Sequence, residues 1–262
     1  MNTDMTGRTA LVTGSTSGIG KAIAASFARA GADVVVNGRS RDRVDATVES
    51  LRADTGGSVR GIAADIGTAE GAEALITELP DVDVLVNNAG IFSATPVFEI
   101  SDAEWSRFFE VNVLSGVRLA RHYTPRMVQR GWGRVIFISS ESSIFIPTEM
   151  VHYGMTKTAQ LSVARGMAQE VKGTGVTVNS VLPGPTLTPG VAEFIASRVG
   201  DDVPFEEAER RFIAEERPSS LLGRLIRPDE VASLVLYAGS EAGSATTGAA
   251  LRVDGGVAPS LA

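Results

Sequence analysis

Arg8-Thr-Ala-Leu-Val-Thr-Gly-Ser-Thr-Ser-Gly-Ile-Gly-Lys-Ala-Ile-Ala-Ala-Ser-Phe-Ala-Arg-Ala30 decides the fold of this 262-residue chain. Arg8 to Thr13 is a short apolar run that ends at glycine, the pattern of a buried strand. Ile19, Ile23 and Phe27 then recur at i,i+4 spacing, which predicts a helix that Gly31 stops. The same alternation continues outward. Asp33–Asn37, Val59–Ala63, Val82–Val86, Val135–Ile138, Val176–Val181 and Ala249–Val253 read as further strands. Between them lie helical patterns over Arg41–Asp54, with Val44, Val48 and Leu51 inward, and over Thr68–Leu79. Ser101 to Arg130 reads as one helical stretch, with Ser101 as N-cap and Glu104 completing a capping box. A helix carrying Tyr153 runs to Val171, and Pro228–Tyr237 is another. Near-continuous apolar strands alternating with helices predict an α/β fold, a doubly wound parallel sheet of about seven strands covered on both faces. Residues 1–262 read as one domain. Thr186 to about Arg217 is charged and irregular, with one or two short exposed helices, and reads as a lid at about 186–217.

The turn between the first strand and helix has the chemistry of a phosphate site. Gly14 permits a tight turn, Gly18 lets backbone approach a pyrophosphate, and Gly20 permits close helix–sheet packing. The helix start adds unpaired N–H groups and a positive dipole end. A P-loop is excluded because Ser15 and Ala22 stand where it needs glycine and Ser or Thr. A nucleophile elbow is excluded because Thr16 stands where its serine belongs. At the end of the second strand, an acid would bond a ribose 2′-hydroxyl and an arginine would accept a 2′-phosphate. The chain has Asn37-Gly38-Arg39-Ser40 there, with Arg43 close behind. Arg39 therefore favours NADP over NAD; its other reading is a solvated charge at a helix entry.

Composition narrows the function further. A hydrophobic content of 44% against 21% charged residues is that of an ordinary globular protein. A formal net charge of −7 without a basic block argues against nucleic-acid or anionic-membrane partners. Cysteine is absent, and the two histidines, His122 and His152, lack ligand spacing, so no metal site is expected. No apolar run reaches spanning length and the N-terminus lacks a signal pattern, so a cytoplasmic location is the expectation.

Tyr153 and Lys157 stand four residues apart, on one helix face. An ammonium one turn away stabilises a phenolate. Covering the three pKa units to neutrality takes roughly 4 kcal/mol, more than one lysine supplies, so a second cation is required; an oxidised nicotinamide ring is one. The spacing alone is also that of a helix surface pair.

Thr13-Gly-Ser-Thr-Ser-Gly-Ile-Gly20, Asn87-Asn-Ala-Gly90, Asn112, Ser140, Tyr153-Gly-Met-Thr-Lys157, Pro183-Gly184 and Val253-Asp-Gly-Gly256 come in order and at proper spacing. Together they resemble the classical short-chain dehydrogenase/reductase signature, with 3-oxoacyl-(acyl-carrier-protein) reductases the subgroup most similar. The resemblance implies a Rossmann-type fold and hydride transfer between NADP(H), or NAD(H), and a carbonyl or alcohol. It implies that Tyr153 is the acid in reduction and the base in oxidation, assisted by Lys157. Ser140 would bond the substrate oxygen, Asn112 would anchor a water leading from Lys157, and Ser139 would be structural. Implied cofactor contacts are Gly14, Ser15, Ser17, Gly18, Ile19, Gly20, Arg39, Asp65, Ile66, Asn88, Ala89, Gly90, Tyr153, Lys157, Pro183, Gly184, Thr186 and Thr188. One departure is Ser17, where NADP-preferring members often carry a basic residue.

Three functions follow as expectations: an NADP(H)-dependent reductase of a ketone, with a 3-oxoacyl thioester among the candidates; an NAD-dependent secondary-alcohol dehydrogenase; and a nucleotide-sensing protein without turnover. Ile144, Phe145, Ile146 and Met150 suit an apolar substrate wall or subunit contacts, and selectivity is expected from Glu193, Phe194, Phe205 and Phe212 in the lid. His152 reads as a surface helix residue or one facing the pocket mouth. Scattered Arg130, Arg134 and Lys172 are the only basic groups expected near the site for an acidic carrier protein. The resemblance also implies a homotetramer.

Overall fold

A computed structural model describes residues 2–199 and 203–260 of the chain. Seven parallel strands form one sheet in the order β3-β2-β1-β4-β5-β6-β7. They are β1 Thr9–Val12, β2 Asp33–Gly38, β3 Val59–Ala63, β4 Val84–Asn87, β5 Gly133–Ile138, β6 Val176–Pro183 and β7 Ala250–Val253. Successive side chains point to opposite faces, and both faces are buried, which is why the strands read as unbroken apolar runs. Ala10, Val12, Val34, Val36, Ile136 and Ile138 meet Ile23 and Phe27 of α1 (Gly18–Arg29), Val44 and Leu51 of α2 (Arg41–Thr55), and Val235 of a later helix, Pro228–Gly239. Leu11, Val35, Leu85, Val135 and Phe137 face the other way, onto Leu75 of α3 (Ala69–Glu78) and a second group of helices described below. Each of these large buried side chains contributes about 1.5–3 kcal/mol.

The strand order runs outward in both directions from the β1/β4 pair. There the crossovers leave to opposite sides, and a crevice opens at the carboxyl ends of the strands.

The expected single helix over 101–130 is two helices, α4 (Asp102–Phe109) and α5 (Ser115–Arg130), joined by a π-helical segment Glu110–Leu114. The reason is local. Asn112 turns its side chain onto the backbone of Ile91, accepting from its N–H at 2.8 Å and donating to its carbonyl at 3.0 Å. The extra residue in the turn makes that reach possible. Ser101 caps α4 as expected, accepting the Glu104 N–H at 3.2 Å. The Glu104 carboxylate pairs with Arg107 at 2.7 Å instead of reaching back, so the box is half formed.

α6 is Val151–Glu170 and carries Tyr153. Ala164 and Ala168 of α6, with Leu119, Tyr123 and Met127 of α5, complete the second core. The one or two short helices expected in the stretch 186–217 are α7 (Pro189–Val199) and α8 (Phe205–Glu216), ahead of α9 (Pro228–Gly239). They bury their own small core of Ile195, Ala208, Phe212, Ile213 and Leu225. Its charges are solvated pairs such as Arg211 with Glu207 at 2.8 Å.

Candidate active site

The glycine turn closes the crevice from below. Gly14 and Gly18 have φ of +59° and +54°, a left-handed conformation that other residues adopt at a cost. A Cβ on Gly14 would lie 2.9 Å from the Ala89 backbone, and one on Gly18 would lie 3.0 Å from Thr188. At Gly20 the added atom would meet the Asn88 amide at 2.5 Å. That amide clamps the turn, donating to the carbonyls of Thr13 at 2.9 Å and Gly14 at 3.1 Å. Asn88 therefore supports the turn and its amide is not free for a ribose. Ser15 is also turned away from the crevice: it is fully buried, its hydroxyl donates to Val12 O at 2.6 Å, and it accepts the Asn37 N–H at 3.1 Å.

Beyond the turn, a cavity of about 540 Å³ is lined by Gly14, Thr16, Ser17, Gly38, Arg39, Arg43, Asp65, Ile66, Asn88, Ala89 and Gly90, among others. Arg39 and Arg43 form no ion pair with any described residue. One Asp65 oxygen is held by the Gly67 N–H at 3.1 Å.

A second cavity, of about 370 Å³, shares Ser17, Asn88, Gly90 and Ile91 with the first and extends over Gly18, Ile19 and Gly20 to Ser140, Tyr153 and Lys157. Pro183, Gly184, Thr186 and Thr188 line it from the end of β6. Its apolar wall is Phe92, Met150, Phe194 and Phe212, and its polar residues include Glu141 and Arg217.

Ser140 follows β5, and Tyr153 and Lys157 project from α6. Lys157 is only 4% exposed. Its ammonium donates to Ile138 O at 2.8 Å and to Gln160 Oε1 at 3.4 Å, and stands 5.5 Å from the Tyr153 ring centre. Burial lowers its pKa to about 8. The phenol does not follow the expectation that Lys157 acidifies it. Burial holds Tyr153 above the usual phenol range, the nearby Glu141 carboxylate adds to this, and a hydrogen bond with Ser140 opposes it. Ser140 Oγ lies 2.5 Å from Glu141 Oε2. Ser139 is structural, its hydroxyl donating to Lys157 O at 2.9 Å.

Asn112 is brought to the site, but its carbonyl accepts the Gln160 amide at 2.6 Å. The same Gln160 takes Lys157 with its oxygen, so a side chain joins Asn112 to Lys157.

With this geometry in view, comparison is informative. A family model described as short chain dehydrogenase matches residues 8–198. The chain belongs to that family. As a short-chain dehydrogenase it is an oxidoreductase that works on CH–OH or carbonyl groups with a nicotinamide cofactor. It is 51% identical to the uncharacterized oxidoreductase YvaG of Bacillus subtilis (strain 168), with all of both chains covered. It is 34% identical to a D-beta-hydroxybutyrate dehydrogenase of Cupriavidus necator, over 96% of this chain and 98% of the relative. Among solved structures, the L-sorbose reductase of Gluconobacter frateurii complexed with NADPH and L-sorbose has a TM-score of 0.93 at 32% identity, covering 100% of both chains. A 3-oxoacyl (acyl-carrier-protein) reductase from Agrobacterium tumefaciens C58 with NADP bound has a TM-score of 0.89 at 31% identity, covering 97% and 96%. The left-handed Gly14 and Gly18, which leave backbone where a Cβ would intrude, fit the pyrophosphate of such a cofactor.

Several expectations need correcting. Ile144, Phe145 and Ile146 are 41%, 43% and 47% exposed and do not line the cleft; only Met150 of that group does. His152 is fully buried against Phe108, with ring centres 4.0 Å apart, and its Nε2 meets Ser93 Oγ at 3.2 Å. Phe194 and Phe212 reach the cleft, whereas Phe205 is 40% exposed. Arg130 and Arg134 lie where α5 ends and β5 begins, at the amino-terminal end of the strands, opposite the cleft. Arg134 is buried, its guanidinium 4.4 Å from the Trp132 ring centre. Sequence reasoning passed over Glu141, Gln160 and Arg217 as site residues. A glutamine three residues after Lys157, on the same helical face, was the one available signal.

Proposed function

We propose that the protein reduces a ketone with NADP(H), using Tyr153 as the proton donor. The observation that carries this reading is the continuity of the two cavities. One runs from Arg39 and Arg43 to Gly90, and the other from the glycine turn to Ser140, Tyr153 and Lys157. Two guanidiniums without carboxylate partners among the described residues, Arg39 just after β2 and Arg43 in the first turn of α2, suit a ribose 2′-phosphate better than a 2′-hydroxyl.

When bound, the nicotinamide supplies or accepts the hydride. The chain's own residues handle charge and protons. As negative charge grows on the carbonyl oxygen, Tyr153 gives up its proton to it and Ser140 is placed to hydrogen-bond it. Lys157, fixed by Ile138 O and Gln160, keeps a positive charge beneath the forming phenolate. Asn112 holds the loop at Ile91, and α7 and α8 serve as a substrate lid over residues 186–217.

The proteins similar to this chain are named for substrates as unlike as L-sorbose, D-beta-hydroxybutyrate and a 3-oxoacyl carrier protein, so the proposal stops at a ketone. A carrier-protein substrate gains no support from charge, since Arg130 and Arg134 lie away from the cleft. Titration with NADPH and NADH tests the cofactor reading. Arg39→Ala is expected to weaken NADPH binding about tenfold or more while leaving NADH nearly unchanged. Equal loss for both cofactors contradicts it.

A further inference from the structure

We propose that Glu141 is a positioning residue that sets the direction of the Ser140 hydroxyl: ionised, it takes the only Ser140 proton; neutral, it donates to Ser140 and frees that proton for the substrate oxygen. The proposal rests on the reading of Ser140 and Tyr153 as the groups that meet that oxygen.

Hydrogen-bond accounting carries it. A serine hydroxyl has one proton and two lone pairs. Ser140 Oγ lies 2.5 Å from Glu141 Oε2 and accepts the Ser142 N–H at 3.1 Å. Against a carboxylate, the one Ser140 proton goes to Glu141, and one lone pair takes the Ser142 N–H. Ser140 then has no proton to direct at a substrate. A carboxylic acid at position 141 reverses this. Its O–H and the Ser142 N–H fill both lone pairs of Ser140, and the Ser140 proton is released into the cleft. Glu141 keeps its own proton throughout; the one that ends on the product oxygen comes from Tyr153.

The surroundings make the neutral form accessible. Glu141 is 5% exposed, and burial holds its carboxyl above the usual carboxylate range, opposed by Ser140 and by Arg217. The charged and titratable groups around it come from three places. Arg217, at the end of α8, has Nε 3.8 Å from Glu141 Oε1, outside hydrogen-bonding distance. Glu149, ahead of α6, competes for the same guanidinium at 3.9 Å. From α6 come Tyr153 and Lys157, and the Lys157 ammonium is occupied by Ile138 O and Gln160. One arginine divided between two carboxylates fully neutralises neither.

Glu141→Gln tests the proposal. Arg217 faces one carboxyl oxygen, so the amide oxygen settles there and the amide NH₂ faces Ser140, copying the neutral acid at every pH. In the cofactor-free protein, phenol absorbance is titrated against a Tyr153→Phe reference; the chain has three tyrosines. Tyr153 is expected to ionise at lower pH in Glu141→Gln, because a negative neighbour is gone. With NADPH and a ketone, the wild-type rate is expected to fall as pH rises through the Glu141 ionisation, at about tenfold per pH unit. Glu141→Gln is expected to lack that limb, and Ser140→Ala, slower overall, to lack it too. An unmoved phenol titration overturns the proposal, as does a limb at the Glu141 ionisation, distinct from that of Lys157, that persists in either variant. If the wild type reduces no ketone, the functional reading fails while the phenol titration still decides the role of Glu141.

Discussion

Lys157 shows what the site costs the fold. Its pKa falls from an ordinary 10.5 to about 8 because the ammonium is buried. Between those values the unfolded chain holds the proton that the folded chain has released, so stability rises with pH across that window. Below the window the penalty is present in full. Relative to Lys157→Met, which has no such group, the wild type is expected to gain about 3 kcal/mol from pH 8 to pH 10.5 in denaturant titrations. A flat difference contradicts the burial argument. Gln160 offsets part of the cost by holding both Lys157 and the Asn112 carbonyl. Gln160→Leu is expected to lower kcat about tenfold and stability by about 1–3 kcal/mol, since a buried carbonyl loses its donor. Gln160→Glu is expected to recover kcat in part, because its carboxylate still meets the ammonium. An unaffected kcat in Gln160→Leu contradicts this. Tyr153, Lys157, Ser140 and Asn112 were legible as types at known spacing. Gln160 and Glu141 were not, because a polar residue in a helix or loop reads as solvated until its neighbours across the fold are known.

At the scale of elements, the strand–turn–helix of residues 9–29 was the most legible part of the chain. Left-handed glycines, a strand buried on both faces and a helix with Ile23 and Phe27 inward all agree there. Gly18→Ala places a Cβ 3.0 Å from Thr188 on a backbone with φ of +54°. It is expected to cost about 1–2 kcal/mol in stability and to weaken cofactor binding at least tenfold, read by fluorescence titration. Unchanged affinity contradicts the role given to the turn. The π-helical segment at Glu110–Leu114 was illegible for a physical reason: one extra residue in a turn barely disturbs a 3.6-residue apolar pattern. Only the tertiary bond from Asn112 to Ile91 reveals why it is there. One or two helices were legible at α7 and α8, but not their bounds or buried core, because the inward residues Ile195, Phe212 and Ile213 are few among many charges.

At the scale of the whole molecule, the sheet order places the glycine turn, the end of β5 and the start of α6 around one crevice, although some 140 residues of chain separate Gly14 from Tyr153. Alternation of elements gave the parallel sheet. Which strands are neighbours came only with the coordinates, apart from the resemblance. Ile144, Phe145 and Ile146, exposed just ahead of α6, are the kind of apolar surface that suits association of copies. We propose a homotetramer; sedimentation equilibrium is expected to give four chain masses, and a monomer at micromolar concentration contradicts it. The account as a whole is tested most directly by following NADPH oxidation at its nicotinamide absorbance with a panel of ketones, for the wild type and Tyr153→Phe in parallel. The predicted result is ketone-dependent turnover that Tyr153→Phe lowers by about 10²–10⁴ with little change in NADPH affinity. Turnover that survives the loss of the phenol would contradict it.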